Sequence, residues 1–403
     1  MSACYITRYE CISPLGLTNN EVSNNVKNGN LCISSLPQNF LPDVVPVKFI
    51  GAIPNQILSI ESAFSFNESM QKQRESWLDL IFSKLNEEDI EPFSSIIFVH
   101  NMVPGVSNYY HWLESEKLTV KGDNPLLPIS QTDFLTRIQK NGKSQVISMH
   151  STCASVTSAV AYAMKRIRIG VDNKIMVVGF ELSNSHWPGF VTLSALGVLN
   201  TTAQRKEDAI QPFSSKRAGF VKADALGFIV LESEKNLSVS KSQPICEVVG
   251  QGMTADSNSL TDGVEDGSIV AKTMLNAISD AQIQTDQIDY INAHGTGTFL
   301  NDLIEVRAVK RLFGERAASI PMSSTKSQYG HALCASGLVE ISAMMEMFKG
   351  HFIGASLNCD RLDAECNLNF VAKPLLNSKI NFAIKNSFGF GGYNASLVLK
   401  NCM

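Results

Sequence analysis

Cys153 stands in the run His150-Ser-Thr-Cys153-Ala-Ser155, at the end of an apolar stretch and the start of one that reads as a helix. A cysteine there meets the positive end of the helix dipole, which favours thiolate over thiol. The same backbone amides could hydrogen-bond an oxyanion. By itself the residue could equally be a small buried thiol without chemistry. A second run, Asn292-Ala-His294-Gly-Thr296-Gly-Thr298, puts a histidine and two hydroxyls among small residues, with Asn301, Asp302 and Glu305 following. Substrate could approach such a histidine closely, or the run could be a turn with a surface histidine. Lys326 and His331 lie five apart around Gly330, a spacing equally open to a solvated loop. In Asn386-Ser-Phe388-Gly389-Phe390-Gly391-Gly392 glycines surround two aromatic rings. The segment has no lysine suited to phosphate and no GxGxxG fingerprint.

Elements must carry these residues. Ser94–His100, Gln145–Met149, Lys174–Glu181 and Phe228–Glu232 read as buried strands, and Ala154–Ile169 as a helix stopped by Gly170. In the second half Val270–Ala281, Asp302–Phe313 and Leu338–Lys349 read as helices. Ile288–Asn292, Ile380–Lys385 and Leu397–Lys400 read as strands. Residues 64–88 look helical around Trp77, Leu78, Leu80, Ile81 and Leu85, while 17–60 and 100–143 look loop-rich. Strand–helix alternation in both halves predicts α/β layers with mainly parallel sheets. A polar stretch at Ser233–Gln243 divides the halves, giving units of 1–240 and 241–403.

The chain has 403 residues, 44% of them hydrophobic and 18% charged, with a net charge of −4. It is charge-poor and should bury a large core, which excludes disorder. No basic excess supports nucleic-acid binding. No apolar run is long enough for a membrane span. Arg8 and Glu10 fall where a signal peptide needs an apolar block, which predicts a cytoplasmic protein. Nine scattered cysteines with no CxxC pair argue against a disulfide framework and a structural zinc.

Together, Cys153, His294, Lys326, His331 and the Phe390 loop resemble, in order and spacing, the β-ketoacyl synthase family of condensing enzymes. Ser13-Pro-Leu-Gly16 resembles its N-terminal signature. Pro212-Phe213, Arg217, Gly219-Phe-Val221, Gly227 and Leu231-Glu232 resemble a second conserved-looking segment of it. The resemblance implies a thiolase-like fold: two similar α/β halves in a five-layered α-β-α-β-α arrangement. It implies decarboxylative Claisen condensation, with Cys153 as the acylated nucleophile and His294 and His331 as donors to the enolate oxygen. Lys326 would orient the site with Glu305 as its partner. Phe390 would gate the site, on the Phe388-Gly389-Phe390-Gly391 loop, with the amides of Cys153 and Phe390 as oxyanion donors. Thr296 and Thr298 would bind pantetheine amides. The implied partners are an acyl carrier protein, docking near Arg205 and Lys206, and a second ketosynthase-like subunit in a homodimer or heterodimer. No redox cofactor or catalytic metal is implied, since substrates ride on phosphopantetheine. A structural monovalent cation, held by some members, is left open.

Several positions depart from the family pattern: Ser151-Thr152 before the cysteine, Ala223-Asp-Ala-Leu-Gly227, Cys334 near His331, Tyr393, Gln211, and a short 100–150 region. They point to a specialised polyketide or fatty-acid pathway. The alternatives are a non-elongating relative: a chain-length-factor-like partner, or an acyltransferase using the same cysteine.

Overall fold

The computed structural model describes residues 2–36, 41, 45–55, 76–77, 79–84, 93–100, 144–182, 187–359 and 361–403. Five strands come from the first half: β1 (Cys4–Ile12), β2 (Ser95–His100), β3 (Gln145–Met149), β4 (Lys174–Glu181) and β5 (Ala225–Ser233). Five come from the second: β6 (Cys246–Ala255), β7 (Tyr290–Asn292), β8 (Met322–Ser323), β9 (Phe382–Gly389) and β10 (Tyr393–Asn401). They form one sheet in the order β8-β7-β9-β10-β6-β1-β5-β4-β2-β3.

Read outward from the centre, the two sides match. In one half β1 pairs antiparallel with β5 and β5 with β4, while β2 lies parallel to both β4 and β3. In the other, β6 pairs antiparallel with β10 and β10 with β9, while β7 lies parallel to both β9 and β8. The chain therefore uses one topology twice. The halves join where Tyr5 and Ile6 of β1 meet Glu247 and Cys246 of β6. The mainly parallel sheet expected from the sequence is corrected: the inner strands of each half pair antiparallel and only the outer ones parallel, so the sheet is mixed.

Side-chain alternation sorts the layers. On β4, Ile175 and Val177 face a central core, while Met176, Val178 and Phe180 face an outer one with Trp77 and Ile81. On β10, Leu397 and Leu399 face the same central core, and Val398 the other outer one. Two helices fill the centre: α1 (Ser155–Arg168) and α4 (Ser336–Gly350). Helices α2 (Ser268–Asp280) and α3 (Phe299–Phe313) cover the outside of the second half. The result is five layers, helix–sheet–helix–sheet–helix.

Nearly every helix and strand read from the sequence is present, with ends moved by a few residues. The stretch 17–60 is a correction in part. Asn19–Asn28 is a helix, opened by a Thr18/Glu21 capping box and closed by Gly29 in the left-handed conformation. Only Val22 and Val26 are buried on it, too few to give a periodic signal. The strands β1 and β6 were also not anticipated, because Arg8, Glu10, Glu247 and Gln251 interrupt their apolar residues. Of the helix expected at 64–88, residues 76–77 and 79–83 are helical, and the remainder lies outside the described residues. Most of the short 100–150 region also lies outside them.

Candidate active site

Cys153 follows the end of β3. Thr152–Ala154 forms a single tight 3-10 turn before α1, with Thr152 at φ 47°. The second half repeats the device after β8: Leu333–Ala335 forms the same turn before α4, with Leu333 at φ 43°. Cys334 thus occupies in the second half the place Cys153 occupies in the first. A non-glycine residue with positive φ costs about 1–3 kcal/mol and persists only where its surroundings hold it. Thr152 is held by its own hydroxyl, which donates to the Phe390 carbonyl at 2.9 Å. That bond ties the cysteine turn to the aromatic loop after β9. Cys334 has a structural setting, its thiol 3.1 Å from the Phe180 carbonyl and 3.4 Å from Glu181 Oε2.

His294 lies just past the end of β7. The loop after it is built around two buried carboxylates of α3. Glu305 accepts the amides of His294 and Gly295, each at 2.9 Å, and an Asn386 Nδ2–H at 3.1 Å. Asp302 accepts the amides of Thr296 at 3.0 Å and Phe213 at 2.7 Å. Gly295 sits at φ 41°, and a Cβ there would come within 2.5 Å of Ser324 Cβ, so this turn requires glycine. His331 lies after β8, its Nδ1 2.7 Å from the Ser336 hydroxyl at the start of α4. The two imidazoles meet edge to face, with ring centroids 5.5 Å apart. Phe388 packs against His294 at 5.6 Å, and Phe220 against His331 at 4.8 Å.

Lys326 is fully buried. Its ammonium donates to the His294 carbonyl at 2.6 Å, lies 3.4 Å from His294 Nδ1 and pairs with Glu340 Oε1. The expected Lys326–Glu305 pair is therefore corrected. Glu340, on α4, is the partner, because Glu305 spends its oxygens on the loop amides. The other oxygen of Glu340 lies 2.6 Å from Lys385 Nζ on β9. Glu340 and Lys385 were both missed from the sequence. Each is a charge inside an otherwise apolar run, and that was the available signal.

Burial holds both histidines well below the usual imidazole range, and the Lys326 charge adds to the effect. The imidazoles are therefore neutral. Burial also pushes the Cys153 thiol up to about 12, against a smaller opposing pull from Lys326. The activated thiolate expected from the helix start is corrected: removal from water outweighs the favourable charges.

These groups open on one cavity of about 300 Å³, lined by Cys153, His294, His331, Thr296, Thr298, Phe388 and Phe390 among others. The hydroxyls of Thr296 and Thr298 are 2.8 Å apart within it. Gly389 and Gly391 flank Phe390, and a Cβ on Gly389 would lie 2.1 Å from Thr152 Oγ1. Arg205 and Lys206 lie on an exposed turn, where Arg205 pairs with Asp208 at 2.8 Å. No described group of His, Cys, Asp and Glu side chains could hold a metal ion, and no described helix is long and apolar enough to cross a membrane.

The chain matches two family descriptions, "Beta-ketoacyl synthase, N-terminal domain" over residues 138–236 and "Beta-ketoacyl synthase, C-terminal domain" over residues 245–360. Together they span more than half of it, and the chain belongs to the β-ketoacyl synthase family. It is 34% identical over 252 residues to the 3-oxoacyl-[acyl-carrier-protein] synthase 2 of Staphylococcus aureus, a stretch covering 62% of each chain. It is 35% identical over 256 residues to the enzyme of that name from Rhizobium meliloti, covering 63% of this chain and 60% of that one. The match thus spans about three fifths of these relatives. Among solved structures, a β-ketoacyl synthase from Burkholderia phymatum STM815 superposes with TM-score 0.82 over 100% of both chains at 25% identity. A type II PKS ketosynthase bound to its acyl-carrier protein and a hexaketide superposes with TM-score 0.81 over 99% of both chains at 24% identity. These likenesses share the thiolase-like fold.

Proposed function

We propose that the protein is a ketosynthase that joins a Cys153-bound acyl group to a malonyl unit carried on an acyl carrier protein, with loss of CO2. One observation carries the reading: a single cavity presents a buried thiol, two neutral imidazoles and two hydroxyls. A hydrolytic cysteine enzyme needs one histidine as base. Two neutral histidines suit instead a reaction that stabilises an enolate while keeping water from a thioester.

In the first half-reaction the Cys153 sulfur attacks the carbonyl carbon of the carrier-bound thioester. The new C–S bond forms, the old one breaks, and the cysteine proton leaves with the carrier thiol. Because the resting thiol is protonated, the proton must move as the sulfur attacks. In the second half-reaction the malonyl C–C bond breaks to release CO2. The enolate oxygen takes hydrogen bonds from His294 and His331, and the enolate carbon attacks the Cys153 thioester. The oxyanion formed there is held by the amides of Cys153 and Phe390. The new C–C bond forms, the acyl C–S bond breaks, and the released Cys153 sulfur takes up a proton to return to the resting thiol. Lys326, charged and pointed at His294, fixes that ring. In this reading the hydroxyls of Thr296 and Thr298, which line the cavity, bind the pantetheine amides, and Phe390 gates between the two steps.

The partners in this reading are an acyl carrier protein, with Arg205 and Lys206 as its docking residues, and a second ketosynthase-like subunit. The location is cytoplasmic, a reading supported by the lack of any disulfide among the described cysteines. Intact-mass analysis with acyl-loaded and malonyl-loaded carrier protein tests the proposal. Acylation of Cys153 followed by a product two carbons longer is expected. Transfer to another nucleophile would mean an acyltransferase, and no acylation a structural partner subunit; either overturns it.

A further inference from the structure

Lys385 is a fully buried lysine that the proposed chemistry does not use. Its position is specific. The ammonium lies 2.6 Å from Glu340 Oε2 and 2.8 Å from Ser387 Oγ, and it donates to the Asn386 carbonyl. A carboxylate oxygen, a hydroxyl and a backbone carbonyl around one positive charge are the ligand set a small monovalent cation would take. In register with Lys385 on β7, Asn292 carries a buried side-chain oxygen without a hydrogen bond, a further acceptor beside the same strand pair.

The other buried carboxylates here offer no such place. Glu305 is taken by the amides of His294 and Gly295, and Asp302 by those of Phe213, Thr296 and Gly297. Glu340 is left as the anionic centre of the cluster, and it is clamped between two ammonium groups, Lys326 and Lys385. The oxygen cage therefore does not fit an added ion, because the chain's own cation fills it.

We infer that Lys385 is a built-in substitute for a structural monovalent cation, positioning Glu340, and through it Lys326 and His294, so that the site needs no alkali ion. It acts through other residues and is a positioning residue. Burial lowers its ammonium to about 8, with Glu340 resisting the fall, so it stays charged at neutral pH. Lys326, Glu340 and Glu305 are the charged or titratable groups that bear on it. Two ammonium groups on one carboxylate leave a net positive charge under the cavity. Burial is the main reason both histidines are neutral, and the charges of Lys326 and, to a smaller degree, Lys385 add to it.

The role of Lys385 in the chemistry rests on the ketosynthase reading, but its role as a cation does not. The test therefore reads stability as well as activity. The full-length protein, Lys385→Asn and Lys385→Arg are melted at matched ionic strength in Na+, K+ or tetramethylammonium chloride, the last too large to enter. The wild type and Lys385→Arg should melt alike in all three salts. Lys385→Asn should melt lowest in tetramethylammonium and rise with the logarithm of Na+ or K+ concentration, as expected for an ion binding only the folded state. Its malonyl decarboxylation should fall about 10–100-fold without alkali ions, the range for loss of a group that orients a site residue, and recover with them. A wild-type melting temperature specific to one alkali ion would overturn the inference, as would a Lys385→Asn protein as stable and active as wild type in tetramethylammonium. If Lys385→Asn does not fold, the wild-type and Lys385→Arg melts still decide between the two outcomes. A protein that condenses nothing would leave the melting comparison intact, so the two readings fail separately.

Discussion

The ammonium of Lys326 donates to the backbone carbonyl of His294 at 2.6 Å and stands 3.4 Å from the Nδ1 of the same residue. An ammonium can only donate, so Nδ1 keeps its lone pair and Nε2 carries the hydrogen. One lysine thus sets the tautomer as well as the position of the ring. Lys326→Met should release that choice. Nitrogen NMR of labelled histidine should show a single Nε2–H tautomer for His294 in the wild type and a mixture in the variant. Malonyl decarboxylation should fall about 10²–10³-fold, the usual loss when an oxyanion donor is misplaced. An unchanged tautomer and rate would remove Lys326 from this role.

The histidines make a pH prediction. Both are held below the ordinary value of 6.5, by burial first and by Lys326 second. They remain the neutral donors as pH falls through 6.5, so decarboxylation should be flat across that point and fall only at lower pH. Stability carries the corresponding sign. Below 6.5 the unfolded chain binds protons at these positions and the folded chain does not, so stability is lost as pH falls from there. A rate profile bending at 6.5 would mean that at least one ring is solvated.

Cys153 should be a slow nucleophile in the resting protein. Its thiol is pushed up to about 12 by burial. Alkylation by iodoacetamide, followed by peptide mass, should accelerate by about tenfold per pH unit from 7 to 10 with no plateau, as thiolate population requires. A plateau near neutrality would show an activated thiolate instead.

Gly389→Ala tests the tie between the cysteine turn and the aromatic loop. The added Cβ would stand 2.1 Å from Thr152 Oγ1 and 2.8 Å from the Ser151 carbonyl. Either the turn or the loop must move. Overpacking of this kind costs about 1–3 kcal/mol, readable in chemical denaturation, and Cys153 acylation should slow well beyond what the stability loss explains. Full acylation rates in the variant would mean that the turn does not need the loop.

Much of the site was legible because chemistry is local in the sequence. Cys153 at a strand end, His294 among glycines and threonines, and the Phe388–Gly392 loop each announce themselves by residue type. The helices α1, α3 and α4 were legible too, since apolar periodicity and stop signals act over one element. The strands β1 and β6 were not. They meet at the junction of the halves, and their mixed composition reflects two different neighbours.

By itself, the sequence determined the order of the reactive residues and the elements that carry them, because propensity and periodicity are properties of short segments. Only the tertiary structure decided the charges behind them. Glu305 is 21 positions from Lys326 and Glu340 only 14, yet neither spacing says which carboxylate points at the ammonium. That is set by how α3 and α4 pack on opposite faces of one sheet. The same packing brings Lys385 to Glu340 and removes Cys153 from water. Desolvation depends on what every other segment covers, and a sequence read one segment at a time does not contain it.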